Sequence, residues 1–148
     1  MKKLLLSTLL LLLTLSAFSQ KTYEVDKYYA ELGGYVIKLF NADGTDGLVV
    51  AMQDQGAANW CEASRLVNSN HAPAGAKFSD WRMPSIDELK IMYDVYKNRG
   101  NGAKLNGNSY WSSSLVAPSG SWRQDFSDGN AATSYMSNIR SLRVIRTF

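Results

Sequence analysis

The sequence predicts one α+β domain with two helices and several short strands. Two segments with helical hydrophobic spacing lie in the middle of the 148-residue chain. Short runs rich in aromatic and β-branched residues flank them on both sides, and turn-forming residues separate these runs. No internal repeat or linker divides the chain after its N-terminal leader. We therefore expect one domain over residues 20–148.

The first 19 residues have the pattern of a secretory signal peptide. Lys2 and Lys3 precede the apolar run Leu4–Leu15, and Ala17 and Ser19 provide the small residues of a cleavage site. The run is too short for a comfortable membrane span, which favours a cleaved signal peptide over an uncleaved N-terminal anchor. We therefore expect no transmembrane segment after cleavage. The protein is expected to be exported, to the periplasm, the cell surface or the medium.

The charge of the chain does not favour nucleic-acid binding. The formal net charge of +3 includes Lys2 and Lys3, which leaves the segment after the leader close to neutral. Arg140, Arg143 and Arg146 are interpreted as charges at the rim of a sheet, because their spacing mixes the two faces of a strand.

Cys61 is the only cysteine, which excludes an intramolecular disulfide. Cys61 lies among residues with a helical pattern, and we therefore predict that its side chain is buried as a small hydrophobic group. A catalytic pair with the only histidine, His71, is disfavoured because no third group is in view to orient it.

An N-terminal hairpin is predicted from two strands, Tyr35–Phe40 and Leu48–Met52. The loop Asn41–Gly47 between them is dense in turn formers. It lacks the third ligand position and the distal Glu of an EF-hand, so a plain turn is favoured over a metal site.

Two helices follow, over Ala58–Asn68 and from Ile86 to about Lys97. Ser85 and Glu88 form an S-x-x-E capping box at the entry of the second helix. The segments Ser69–Ser79 and Asn101–Ser109 are rich in polar and turn-forming residues and are predicted to be loops.

From Tyr110 onward, the sequence predicts strands joined by turns. Alternation along the second of these strands places Trp122, Gln124 and Phe126 towards the core, and Arg123 and Asp125 outward. Asp128-Gly129-Asn130 is a hairpin turn signal. The predicted strands are Tyr110–Ser114, Ser121–Phe126, Ala132–Met136 and Ile139–Arg146.

Ordered motifs along the chain resemble the Lcl C-terminal-domain family and the related Fibrobacter major paralogous domains. They begin with Gly34-Tyr35-Val36-Ile37, Asp46-Gly47-Leu48-Val49-Val50-Ala51 and Trp60-Cys61-Glu62-Ala63. They continue with Asp80-Trp81-Arg82-Met83-Pro84-Ser85-Ile86-Asp87-Glu88-Leu89 and Tyr110-Trp111-Ser112-Ser113-Ser114. They end with Trp122 to Phe126, Gly129 and Leu142-Arg143-Val144-Ile145-Arg146.

The resemblance implies an α+β, C-type-lectin-like fold, with two helices packed on a small, irregular and mostly antiparallel sheet. It also implies a surface or secreted binding module, of a kind that engages glycans or host polymers in some members. Two properties of related folds do not carry over. The Glu-Pro-Asn-like and Trp-Asn-Asp-like calcium motifs of animal lectins are absent. The C-terminal cysteines on which formylglycine-generating enzymes depend are absent too, so an enzyme of that type is disfavoured.

Trp81, Trp111 and Trp122 could stack on sugar rings, but their positions at element boundaries favour packing between helix and sheet. The candidate ligand-binding residues are instead polar and aromatic groups of the C-terminal sheet. An ordinary solvated sheet face is the alternative interpretation. The candidates are Arg123, Asp125, Asn130, Tyr135 and Asn138.

The leading expectation is a non-enzymatic binding or adhesion module that recognises a glycan, polymer or protein ligand without calcium, metal or another cofactor. A diversified receptor tip on the same scaffold is the first alternative. A hydrolase or oxidase is the second, and it is disfavoured because no convergent catalytic set is visible.

Overall fold

A computed structural model describes residues 20–67, 78–116 and 118–148. It is an α+β structure with two helices, as the sequence predicts. The predicted leader, His71 and most of the Ser69–Ser79 loop lie outside the described residues. Within the described ranges, no helix is long and apolar enough to cross a membrane.

The strands form two sheets, where the resemblance implied one. The first sheet has the order β1-β2-β3-β9 and the second β4-β8-β5-β6-β7. All pairs are antiparallel except the short parallel contact between β5 and β8. The strands are β1 (Tyr28–Tyr29), β2 (Gly34–Leu39), β3 (Gly47–Ala51), β4 (Ala57–Ala58), β5 (Ser109–Val116), β6 (Gly120–Asp125), β7 (Ala131–Tyr135), β8 (Arg140–Ser141) and β9 (Ile145–Thr147).

The N-terminal hairpin is confirmed as the antiparallel pair β2–β3. Its loop is held by its own side chains, because the Asn41 Oδ1 accepts the backbone N–H of Thr45 at 3.0 Å and the Asp43 Oδ1 accepts the Thr45 hydroxyl at 2.8 Å. All five residues of β3 are buried. This strand therefore forms the centre of the first sheet.

The two helices are α1 (Trp60–Leu66) and α2 (Ile86–Asn98). The predicted capping box is confirmed: the Ser85 hydroxyl accepts the Glu88 N–H at 3.2 Å, and the Glu88 carboxylate accepts the Ser85 N–H at 2.7 Å. Arg82 binds the same carboxylate through both terminal nitrogens. The entry to α2 is thus fixed by local bonds and one ion pair. By contrast, Cys61 on α1 is exposed, so its predicted burial is wrong.

The predicted strand Ile139–Arg146 is not continuous. It divides into β8 in the second sheet and β9 in the first, and the residues between them, Leu142, Arg143 and Val144, are almost completely buried. This crossing segment joins the two sheets through the core. Two clusters of buried apolar side chains lie around it, one containing Trp81 and Trp111 and the other containing Leu89 and Phe126.

Candidate functional site

The hairpin β6–β7 carries most of the predicted ligand-binding residues. Its register pairs Arg123 with Ala132 and Gly120 with Tyr135, and β7 is the last strand of its sheet. On the other side of β6, Gly120 lies opposite Val116 of β5. Gly120 has no side chain, so a notch opens between the side chains of Val116 and Tyr135. A Cβ at Gly120 would meet its nearest atoms at 3.4 and 3.5 Å, which is ordinary contact.

A cleft of about 400 Å³ opens at this end of the sheet. Three of the five predicted residues, Arg123, Tyr135 and Asn138, line it. The Tyr135 side chain is 72 % exposed, more than any other large hydrophobic residue of the described chain. The full lining is Val116, Pro118, Ser119, Gly120, Arg123, Thr133, Ser134, Tyr135, Asn138 and Arg140.

The buried Ser134 hydroxyl organises one side of the cleft. It accepts hydrogen bonds from the Asn138 amide at 3.0 Å and from an Arg140 terminal nitrogen at 3.3 Å. A backbone bond from the Asn138 N–H to the Tyr135 carbonyl closes the turn at 3.0 Å. The Nε of Arg140 is buried and finds no hydrogen-bond acceptor in the described chain. The polar groups of this wall are therefore held in place, and one donor remains unsatisfied.

Asp125 lies beside Arg123 and not in the lining of the cleft. The Arg123 Nη1 donates to the Asp125 Oδ2 at 3.2 Å. The Ser127 hydroxyl donates to the other carboxylate oxygen at 2.5 Å. Hydrogen bonds from Ser127, followed by the charges of Arg123 and Arg140, hold the pKa of Asp125 below its usual range despite partial burial. Asp125 is thus an anchor for Arg123.

The expected outward orientation of Arg123 and Asp125 holds only in part. Their side chains are 21 % and 27 % exposed, so both are mostly covered. Arg123 lies opposite Trp111, which is completely buried and donates its indole N–H to the Ala58 carbonyl at 2.9 Å. Strand β6 therefore has covered positions on both of its faces, since Gln124 on the opposite face is buried as well.

The structure does not bring Asn130 to the cleft. Asn130 lies in the predicted turn, where the Asp128 carboxylate accepts its N–H at 2.8 Å. Tyr135 is at the other end of β7, roughly 16 Å away for five residues of extended chain. Asn130 is therefore a predicted ligand-binding residue that lies away from the cleft.

The preference for core packing over sugar stacking is confirmed for two of the three tryptophans. Trp81 is 4 % exposed and Trp111 is completely buried. Trp122 is partly exposed. None of the three lines the cleft.

Arg140 is the cleft residue that sequence reasoning missed, since it was grouped with Arg143 and Arg146 as a rim charge. The three arginines have separate roles. Arg143 is 1 % exposed and donates to the carbonyls of Ala51 and Ala103 at 2.8 and 2.6 Å. Arg146 pairs with Asp80 at 2.8 Å. One sequence signal could have revealed this position: the turn that precedes Arg140. Such a turn can direct the Arg140 side chain back over β7.

The polar network around Asp54 is structural. The Asp54 carboxylate accepts bonds from Arg143 at 3.0 Å and from the Tyr110 hydroxyl at 3.0 Å. Burial, reinforced by the charge of Asp54, raises the pKa of Tyr110 far above its usual range. A hydroxyl that stays protonated in this way is a poor base or nucleophile at neutral pH. This network joins β5, the Ala103 loop and the crossing segment.

A second cleft of about 490 Å³ lies between β2 and α2. Lys38, Lys90 and Arg99 line it around aliphatic side chains, and it contains none of the predicted site residues. It provides matched control positions for experiments on the first cleft.

Comparison with known proteins identifies the family. A family model described as the Lcl C-terminal domain matches residues 39–146. No curated protein matches the sequence. The matched range contains α1, α2 and the whole second sheet, including the cleft. The chain belongs to the Lcl C-terminal-domain family.

Proposed function

We propose that this protein is an exported, non-enzymatic binding or adhesion module that recognises a glycan, polymer or protein ligand through the cleft at its C-terminal sheet. The observation that carries the proposal is the exposed Tyr135 beside a fixed polar wall of Asn138 and Arg140. The proposed scaffold is C-type-lectin-like, and the first 19 residues are proposed to direct export.

The chemistry of the cleft suits a ligand with one flat apolar face and several hydroxyl or acidic groups. A tyrosine ring offers a large contact area and loses little conformational entropy on binding. The notch at Gly120 leaves space beside this ring. Asn138 and Arg140 offer donors whose positions are already held by Ser134. Pre-organisation of this kind lowers the entropic cost of association. A sugar ring meets these requirements.

Ligand capture is proposed not to need calcium. The Asp125 carboxylate is already engaged by Arg123 and Ser127, and Arg123 and Arg140 place positive charge in the cleft. Binding should therefore be unchanged by EDTA. Loss of binding on chelation, with recovery on addition of calcium, would contradict the calcium-independent part of the proposal.

The test is a screen of the purified protein against arrays of neutral glycans, acidic glycans and extracellular proteins. Arg123→Ala and Tyr135→Ala should remove capture of the ligand that the array identifies. Gly120→Val should weaken it by filling the notch. Lys90→Ala in the second cleft should leave it unchanged. Full capture by the folded Arg123→Ala and Tyr135→Ala variants would place the site elsewhere.

A diversified receptor tip is a special case of this proposal, with the same cleft as its variable surface. An adenine-rich template repeat and a reverse transcriptase beside the gene would support it.

A further inference from the structure

The second cleft, between β2 and α2, has an aliphatic floor. Its volume of about 490 Å³ is in the range of small-molecule sites. Among the described residues, no aromatic ring lines it, whereas Tyr135 lines the first cleft. The apolar part of a matching ligand is therefore an alkyl chain, since a sugar ring would find no aromatic face to stack on. The apolar side chains of the lining, one buried and three partly exposed, are Ile37, Val25, Leu39 and Ile91.

Positive charge dominates the rim of this cleft. Its lining includes Lys38, Lys90 and Arg99 but only one carboxylate, that of Asp94. Asp94 already accepts the Asn98 amide at 2.8 Å and the Arg99 Nε at 3.0 Å. These two hydrogen bonds hold the pKa of Asp94 below its usual range, so it stays ionised and engaged. The rim keeps a net positive charge, which is complementary to an anionic ligand.

Lys38 is the rim cation that a ligand can use. Lys90 donates to Asp87 at 2.9 Å, and Arg99 is paired as described above, so both have a carboxylate close by in the chain. Lys38 is exposed and has no carboxylate partner in the described part of the chain. Its ammonium lies 5.9 Å from the centre of the Phe40 ring, a distance typical of a weak cation–π contact. A carboxylate at Lys38 would therefore displace no existing ion pair.

We propose that the second cleft binds a free fatty-acid-type anion, with its alkyl chain on the aliphatic floor and its carboxylate at Lys38. On α2 the lining runs from Lys90 to Arg99, roughly 13 Å along the helix axis. That length suits a single chain, and the cleft has far fewer residues than the roughly 20–30 per partner of a standard protein interface. The two clefts share no lining residue, so this site is independent of the proposed function.

The first test is titration calorimetry of the purified protein with hexanoate, octanoate and decanoate below their micelle-forming concentrations. Each buried methylene should raise the affinity about fourfold, or about fifteenfold for each step of two. Decyltrimethylammonium has the same alkyl chain with a cationic head group and should bind more weakly than decanoate. No binding of decanoate, an affinity independent of chain length, or equal affinity for the two head groups would overturn the proposal.

The second test locates the site with variants whose folding is checked by thermal melts. Lys38→Gln should weaken decanoate binding about two- to fivefold, the usual strength of an exposed charge pair, and should not weaken decyltrimethylammonium binding. Lys90→Gln is the matched control and should have a smaller effect, since Lys90 already has a partner. Ile91→Gln should weaken both ligands, and Tyr135→Ala neither. Equal effects of Lys38→Gln and Tyr135→Ala on decanoate would contradict the assignment.

The third test separates a free anion from a membrane surface. Flotation with vesicles of equal parts phosphatidylglycerol and phosphatidylcholine measures binding to an anionic bilayer. The protein should stay unbound, because the floor lies between two elements and accepts a separate chain. Vesicle binding that Lys38→Gln abolishes, in a protein that does not bind decanoate, would assign the cleft to a lipid surface and overturn the proposal.

Discussion

Arg143 and Arg123 each pair with an aspartate, yet the two arginines occupy opposite environments. Arg143 is 1 % exposed, and its guanidinium donates to two backbone carbonyls as well as to Asp54. Arg123 is 21 % exposed and makes a single bond to Asp125 at 3.2 Å beside an open cleft. The first arginine joins distant segments of the core. The second keeps donor capacity that a ligand can use.

The same contrast separates two groups of sites. The closed sites are the Arg143 network and the entry to α2, where polar groups satisfy each other. The open sites are the cleft and β7, where an aromatic ring and several donors face solvent. Substitutions at the closed sites should reduce stability, and substitutions at the open sites should reduce binding.

The largest effect is expected at Arg143. Arg143→Ala should lower the free energy of unfolding by about 3–5 kcal/mol, because it leaves buried carbonyls and Asp54 without their donor. Arg143→Lys should recover only part of this loss, since an ammonium cannot reproduce the planar fork. Chemical denaturation measures both variants. An Arg143→Ala variant as stable as the unmodified protein would remove the distinction between the two arginines.

Trp81→Ala should cost about 3–5 kcal/mol, because it truncates an aromatic side chain that is 4 % exposed in the first core cluster. Trp81→Phe is the matched variant and should cost less, since it keeps an aromatic ring there. Thermal and urea unfolding of both proteins provide the measurement. An unchanged melt for Trp81→Ala would show that the first core cluster tolerates a cavity at this position.

Ser85→Ala should cost about 0.5–2 kcal/mol, because the Glu88 N–H loses its side-chain acceptor. Ser85→Thr keeps the acceptor and serves as the control. Denaturant midpoints of the two variants should differ accordingly. Equal stability of the alanine and threonine variants would mean that the Arg82–Glu88 pair alone holds this helix entry.

The smallest effect on stability is expected at the open sites, where Tyr135 lies. Tyr135→Ala should change the free energy of unfolding by no more than about 0.5 kcal/mol, because the ring is largely exposed. The same variant should lose ligand capture on the array. A large loss of stability would show that Tyr135 supports the fold, and would remove the distinction between the closed and the open sites.

Local patterns predicted the elements whose causes are local. The capping box at Ser85 needs only four consecutive residues, and the hairpin β2–β3 follows from two apolar strands around a turn. The candidate site was predicted in part: Arg123, Tyr135 and Asn138 meet at one cleft, while Asn130 lies at the other end of β7. Arg140 was missed because Ile139–Arg146 was predicted as one strand with its arginines at the rim, whereas the chain changes sheets within this segment.

By itself, the sequence determined the α+β composition, the two helices and the family, because periodicity and ordered motifs can be recognised without knowledge of tertiary contacts. Only the tertiary structure decided which partners each arginine has and how deeply it is buried. It also decided where the final predicted strand divides between the two sheets. Strand alternation identifies two faces, but it does not say whether one or both are covered. Burial of Arg143 depends on Asp54 and Ala103, both far away along the chain. Such partners come together only when the two sheets pack.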